Sequence, residues 1–165
     1  MKISNTVLLF LLGSLLAAAG EVDRLISDLR EGDKVARREA ARALALLGPE
    51  AKPAVQALVK GLDDDEEQVF FWSATALTNL GPDAHEATPE LIKRLRRSGR
   101  RYRDQVRLRM VTALTRIGPA AIPQLIDALD NESQSIRSGA AKVLGNMGST
   151  AHEAAPRLFA LLGNE

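Results

Sequence analysis

Residues 36–49, with the sequence ARREAARALALLGP, carry the pattern on which the whole chain is built, because the same spacing of apolar residues and glycine returns three more times. The copies end at Gly48, Gly81, Gly118 and Gly148, so successive glycines are 33, 37 and 30 residues apart. Self-similarity at a period of 20 to 50 residues is typical of repeat architectures. The sequence therefore predicts an array of stacked repeats.

Apolar residues lie 12, 8, 5, 4 and 1 positions before each glycine, which places them in one stripe along a helix. A second helical pattern follows each later proline, and we expect proline in its first turn because the missing N–H would have no partner there. Each glycine is expected in a left-handed C-cap. One pair of helices cannot bury its stripe alone, so neighbouring pairs must stack.

The recurrent pairs valine-arginine, Ala-Ala, Ala-Leu and Leu-Gly resemble the HEAT repeats first named from phycobilisome lyases. The resemblance implies an all-α, right-handed α-α superhelical solenoid of about four helix pairs with a leading helix. The expected boundaries are a domain over residues 20–165, a lone helix over 21–31, and repeats over 33–62, 65–98, 102–130 and 132–163. In such repeats the arginine joins a polar ladder between repeats, and it is matched here by Arg37, Arg107 and Arg137.

The first nineteen residues have the features of a secretory signal peptide. Lys2 precedes an uncharged run over residues 7–19, which closes in three alanines before Gly20. Thirteen helical residues rise only about 20 Å, so the run is short for a membrane span, and no stable span is expected after cleavage. The alternative is a degenerate first helix of the repeat array. We expect export, to a periplasm or to the medium.

The composition is that of an ordinary soluble domain, with 45% hydrophobic and 26% charged residues. Loss of Lys2 with the signal would leave equal numbers of basic and acidic residues, so no overall charge would attract a partner. The chain has no cysteine, which excludes disulfides, a thiol nucleophile and a lipid-modified cysteine anchor.

The second repeat departs from the others at residues 70–72, Phe-Phe-Trp, where the other copies carry arginine and polar residues. Phe71 falls on the polar face of its helix, and with Trp72 it is predicted to anchor a protein partner. The alternative is that Phe70 and Trp72 fill the groove between stacked repeats while Phe71 is partly covered.

The longest repeat contains a basic segment over residues 93–109, with nine cations and one acid. Its candidate partner-binding residues are Arg97, Arg100, Arg101, Tyr102 and Arg103. A solvated loop is the simpler interpretation of this segment, and the five acids of residues 63–67 would neutralise part of its positive charge. HEAT-like DNA glycosylases use this architecture to grip DNA, but export argues against a nucleic acid.

Two His-Glu pairs, at residues 85–86 and 152–153, suggest a comparison with deoxyhypusine hydroxylase, a HEAT-like enzyme that holds iron with such pairs. Here both pairs lie in turns rather than helices, and the other two repeats lack them. Equivalent points two repeats apart are separated by about 20 Å, which one metal centre cannot bridge. We therefore expect no metal site and no cofactor.

The predicted function is a non-enzymatic, exported scaffold that binds another protein. The alternative is a HEAT-like enzyme related to bilin lyases or to deoxyhypusine hydroxylase. The last helix is apolar almost to the final residue, and the first mature helix has no pair. Exposed ends would allow a homodimer, an end-on partner or a longer ancestral array, and the sequence leaves these open.

Overall fold

The computed structural model describes residues 20–96 and 103–162, and within these ranges every element is a helix. Helix α1 covers residues 20–31. Four longer first helices follow, and they are α2 (Lys34–Leu47), α4 (Glu67–Leu80), α6 (Arg103–Ile117) and α8 (Gln134–Met147). The shorter second helices are α3 (Val55–Gly61), α5 (Thr88–Lys93), α7 (Ile122–Ala128) and α9 (Ala155–Leu162). The predicted all-α solenoid is confirmed.

The first helices form one continuous layer, in which α2 packs on α4, α4 on α6 and α6 on α8. The second helices form the other layer, and α5 contacts α7 of the following repeat as well as α8 of the repeat after that. The predicted stripe is buried between the layers, most completely in α4, where all five of its positions are inaccessible. The residues seven before the glycine, such as Ala41 and Ala74, are buried as well, because neighbouring first helices cover that side.

The turn after each first helix is a short 3₁₀ helix, over Gly48–Ala54, Gly81–Ala87, Gly118–Ala121 and Gly148–Ala154. All four glycines have positive φ, as expected. The predicted left-handed C-cap is nevertheless wrong at Gly48, Gly81 and Gly148, where φ is 62°, 55° and 58° and ψ is −127°, −125° and −131°. This is the mirror-β region, the first central position of a type II′ turn, and the fixed φ of Pro49 suits the next position. The backbone therefore turns sharply instead of continuing the helical sense.

Close approach between layers depends on two small residues. A Cβ built on Gly61 in α3 would lie 2.3 Å from the Ser73 hydroxyl oxygen in α4. A Cβ on Gly139 in α8 would lie 3.1 Å from Leu95. Gly61 thus lets α3 pack at short range against α4, the following first helix, and Gly139 brings α8 close to Leu95 at the end of the repeat that contains α5.

The predicted polar ladder between repeats is present at Arg37, which forms a two-pronged ion pair with Asp64, at 2.7 and 3.1 Å, and also contacts Asp65. These acids raise the pKa of Arg37, chiefly through the hydrogen bond that Arg37 donates to Asp64. Arg107 likewise donates to the Ser138 hydroxyl of the next repeat. Arg137 differs, because its guanidinium turns back to carbonyl groups of the loop before its own helix.

We predict that Gly61→Ala lowers the free energy of unfolding by about 1–3 kcal/mol, because the added methyl group overpacks the contact with Ser73. Urea denaturation followed by far-ultraviolet circular dichroism measures this change. The loss should shrink in a Ser73→Ala background, where the clashing oxygen is gone. The matched control is Gly145→Ala in α8, where a Cβ meets nothing within 4 Å. That change should stabilise by about 0.5–1 kcal/mol, and equal losses at both sites would contradict the packing argument.

Candidate functional site

A row of two adjacent aromatic side chains, with an arginine at each end, crosses the outward face of three first helices. The Phe71 and Trp72 rings of α4 meet edge to face, with their centroids 5.0 Å apart. The Arg109 guanidinium of α6 lies over Phe71, 4.0 Å from the ring centroid, and that of Arg42 in α2 lies 5.9 Å from the centroid of Trp72. We call these four residues the aromatic–arginine row. It connects three consecutive repeats.

The three consecutive aromatic residues have different environments. Phe70 and Trp72 are half-buried and pack against the hydrophobic core, as the groove-filling alternative expected. Phe71 is also half-buried, because Arg109 covers one face of its ring. Trp72 combines both roles, since it packs inward and also lines an open groove on the surface. Phe71 is therefore a covered member of the row rather than a freely exposed anchor.

Two shallow grooves flank the row. The groove between α2 and α4 has a volume of about 270 Å³ and is lined by Arg38, Glu39, Arg42, Gln68 and Trp72. The groove between α4 and α6 has a volume of about 330 Å³ and is lined by Thr75, Thr78, Leu108, Arg109 and Thr112. Three arginines and one acid line the two grooves together, so the surface around the row is locally positive. Both grooves are open along the face, which suits an elongated ligand more than an enclosed small molecule.

The guanidinium groups of the row keep their donors available. Neither Arg42 nor Arg109 donates a hydrogen bond to any described residue, and the nearest carboxylate to Arg42 is Glu39, at 3.8 Å. Glu39 is closer to Arg38, at 3.1 Å. Stacking on an aromatic ring holds the plane of a guanidinium while leaving its N–H edge free. The row therefore presents two oriented cationic groups.

The threonines of the second groove have their hydroxyl protons engaged. Thr75 donates to the carbonyl of Phe71, Thr78 to that of Ala74, and Thr112 to that of Leu108, at 2.8 to 2.9 Å. A hydroxyl that donates to its own helix can still accept a hydrogen bond. The floor of this groove therefore offers acceptors and methyl groups, while the donors lie at its arginine edge.

Most of the predicted basic contact residues lie outside the described ranges, namely Arg97, Arg100, Arg101 and Tyr102. Arg103 begins α6, and its side chain is not among those described. Elsewhere in the segment, Arg94 pairs with Asp63 of the preceding loop and with Glu90 of its own helix. A hydrogen bond from Lys93 holds the pKa of Glu90 below its ordinary value. This part of the basic segment is engaged within the protein.

Acidic residues of the run 63–67 form ion pairs with both the preceding and the following repeat. Asp63 points forward to Arg94, as the sequence suggested, whereas Asp64 and Asp65 point back to Arg37. Glu66 pairs with Lys34 at the start of α2. The acids of this run therefore form contacts between repeats, and among them Asp63 pairs with a residue of the basic segment.

The two His-Glu pairs lie at equivalent points of two 3₁₀ turns, and all four side chains are exposed. Nδ1 of His85 lies 3.2 Å from the Pro82 carbonyl, and Nδ1 of His152 lies 3.3 Å from that of Ser149. Each imidazole thus contacts its own turn. Over the described residues, no three histidine or acidic side chains converge into a group that could hold a metal ion.

The stacked helix pairs and the open face define the chain as a helical repeat protein of the α-solenoid class. A family model described as HEAT repeats matches residues 22–105 and 100–165, so the chain belongs to the HEAT-repeat family. The resemblance inferred from the sequence is therefore confirmed. No curated protein matches the chain.

Two solved structures are similar in fold. One is a designed armadillo repeat protein in complex with the peptide (KR)4, with a TM-score of 0.54 and 23% sequence identity, covering 85% of this chain and 72% of that one. The other is the crystal structure of an engineered protein from a structural genomics consortium, with a TM-score of 0.51 and 23% identity, covering 81% of this chain and 68% of that one. At this identity the likeness concerns the fold alone.

The sequence pointed to the aromatic cluster but missed its arginine partners. Arg109 was grouped with the basic segment, although it lies nine residues before its glycine, the register of Trp72 in the previous copy. Side chains at that register face the preceding first helix, which is why Arg109 reaches Phe71. Aligning the copies by their glycines places Arg109 at the register of Trp72, but the contact with Phe71 also depends on the shift of α6 along α4.

We predict that Arg109 and Phe71 are energetically coupled by about 0.5–1 kcal/mol, the usual strength of an exposed cation–π contact. A double-mutant cycle with Arg109→Met and Phe71→Leu measures this coupling from urea denaturation, and methionine keeps the apolar stem while removing the charge. Arg30→Met on α1, combined with Phe71→Leu, is the control and should be additive. Coupling below about 0.3 kcal/mol for Arg109 would contradict the stacked geometry.

Proposed function

We propose that this HEAT-repeat protein is an exported, non-enzymatic scaffold that binds another protein through the outward face of α2, α4 and α6. The observation that supports the proposal is the aromatic–arginine row, because tryptophan, aromatic and arginine side chains are the residues enriched at the energetic centres of protein interfaces. The row lies in open grooves along the repeat array, where a partner has access to several helices at once.

The groove chemistry supports binding rather than catalysis. The grooves are lined by arginine, threonine and apolar residues, and their threonine protons are engaged with helix carbonyls. A nucleophile activated by a neighbouring base would need a different arrangement. The designed armadillo protein with a similar fold binds a peptide of lysine and arginine. Here the grooves carry arginines, so a partner of the opposite charge is favoured.

The proposal of export rests on residues 1–19, which lie outside the described ranges. Their basic start, uncharged run and terminal alanines are typical of a cleaved signal peptide. No helix in the described part of the chain is long and apolar enough to cross a membrane.

We predict that the chain, produced from its full-length gene in a bacterium with a Sec pathway, is recovered outside the cytoplasm with a mass that begins at Gly20. Intact-mass spectrometry of the fractionated cells measures both the location and the cut. Ala17→Arg with Ala19→Arg should block cleavage, because the cut needs small side chains at these positions. Recovery of the unprocessed chain in the cytoplasm would contradict export.

We further predict that Arg42→Glu with Arg109→Glu releases a protein partner captured by the unmodified chain, because reversal replaces attraction by like-charge repulsion. Quantitative pull-down from the compartment in which the chain resides measures the loss. The matched control is Arg30→Glu, a charge reversal on an exposed residue of α1. Retention of every captured protein by the double variant would exclude this face, and capture of none by the unmodified chain would contradict the scaffold function.

A further inference from the structure

We propose, on the basis of the protein-binding function above, that the partner presents an acidic segment in extended conformation, with two carboxylates about four residues apart and an apolar side chain between them. The segment would lie across α2, α4 and α6, and its carboxylates would bind Arg42 and Arg109. The apolar side chain would rest on the exposed part of Trp72 and on Leu108.

The spacing follows from the aromatic–arginine row. The successive steps from Arg42 to Trp72, from Trp72 to Phe71 and from Phe71 to Arg109 are 5.9, 5.0 and 4.0 Å. The two guanidinium carbons are therefore no more than about 15 Å apart, and an extended chain covers about 3.3 Å per residue. Carboxylates at positions i and i+4 of such a chain reach both arginines, whereas the same pair on a helix would be only about 6 Å apart.

The charge pattern favours a carboxylate at each end. Arg42 and Arg109 have no hydrogen-bond acceptor among the described residues, and stacking fixes the orientation of both guanidinium planes. A planar guanidinium binds a carboxylate through two parallel hydrogen bonds. Because the rings already hold the side chains in place, less rotamer freedom is lost when the ligand binds. Glu39 lies 3.8 Å from Arg42 but is closer to Arg38, at 3.1 Å, so it offsets only part of the positive charge at this end of the row.

The groove between α4 and α6 favours a peptide over a phosphate chain. Thr75, Thr78 and Thr112 use their protons within their helix and therefore present acceptors. The backbone of an extended peptide supplies N–H donors to such acceptors, whereas phosphate oxygens only accept. Leu108 is 59% exposed at the edge of this groove and gives an apolar side chain a surface on which to rest. Polyphosphates and the phosphate groups of single-stranded DNA would leave these threonines without donors.

Binding can be measured on the protein directly, because Trp72 is its single tryptophan. We would titrate the mature chain, from residue 20 onward, with a capped peptide of sequence Gly-Glu-Ser-Leu-Ser-Glu-Gly and record the emission of Trp72. The expected result is a saturable change that weakens with added salt. The peptide with glutamine in place of both glutamates should bind at least tenfold more weakly, and that with lysine should not bind.

The variants Arg42→Gln and Arg109→Gln should each weaken binding of the glutamate peptide about five- to tenfold. Arg42→Lys and Arg109→Lys should give intermediate losses, because an ammonium cannot form the two-pronged contact. Arg30→Gln is the control and should bind as the unmodified chain does. Unchanged circular dichroism of each variant shows that the fold is intact.

Three results would overturn the proposal. The first is the lack of a saturable, arginine-dependent change up to millimolar peptide, the second is equal binding of the glutamine peptide, and the third is tighter arginine-dependent binding of tripolyphosphate or oligothymidylate. The charge-reversal pull-down distinguishes failure of the acidic-peptide proposal from failure of the proposed scaffold function. If Arg42→Glu with Arg109→Glu releases the natural partner but no glutamate peptide binds, the scaffold function stands and only the partner chemistry is wrong.

Discussion

Contact between neighbouring first helices is the constraint on which the rest of the structure depends, because no helix pair here can bury its own apolar stripe. Small residues at the contact make it possible. Ala41 and Ala74 lie seven residues before their glycines, on the side that neighbouring first helices cover, and Gly61 of α3 gives Ser73 of α4 the same close approach to the second layer. Such residues let helices approach at the short end of the usual range of about 8–10 Å. The register of this packing then decides which side chains of adjacent repeats meet at the surface, and so it creates the aromatic–arginine row.

The polar contacts between repeats supplement this packing unevenly. In the loop after α3, which joins two repeats, Asp64 binds Arg37 of the preceding repeat while Asp63 binds Arg94 of the following one. The corresponding loop after α7 contains Asn131 and Glu132, and its carbonyls are used by Arg137. Exposed ion pairs contribute little to stability individually. Their effect here is on geometry, since they attach α2 and the end of α5 to the same loop.

Local periodicity allowed the fold to be predicted, because the glycine spacing and the apolar stripe are properties of each repeat alone. In α4, Val69, Leu77 and Leu80 are buried where the pattern placed them. The conformation of Gly48 was predicted wrongly because glycine has two allowed regions at positive φ, the left-handed helical region and the mirror-β region. The turn that follows the helix selects between them. The stacking of Arg109 on Phe71 depends on how far α6 is shifted along α4. The spacing of 37 residues between Gly81 and Gly118 does not fix that shift.

The two ion pairs of the loop after α3, which point in opposite directions along the array, also couple movements of neighbouring repeats. Asp63 and Asp64 are adjacent, yet one is attached to the repeat ahead and the other to the repeat behind. A movement of α2 relative to this loop is therefore transmitted to the contact with Arg94 at the end of α5. An array built from nearest-neighbour contacts bends by small rotations at each interface. We expect a ligand bound in one groove to alter the curvature of the array at the neighbouring groove. The shape of the solenoid would then depend on what it binds.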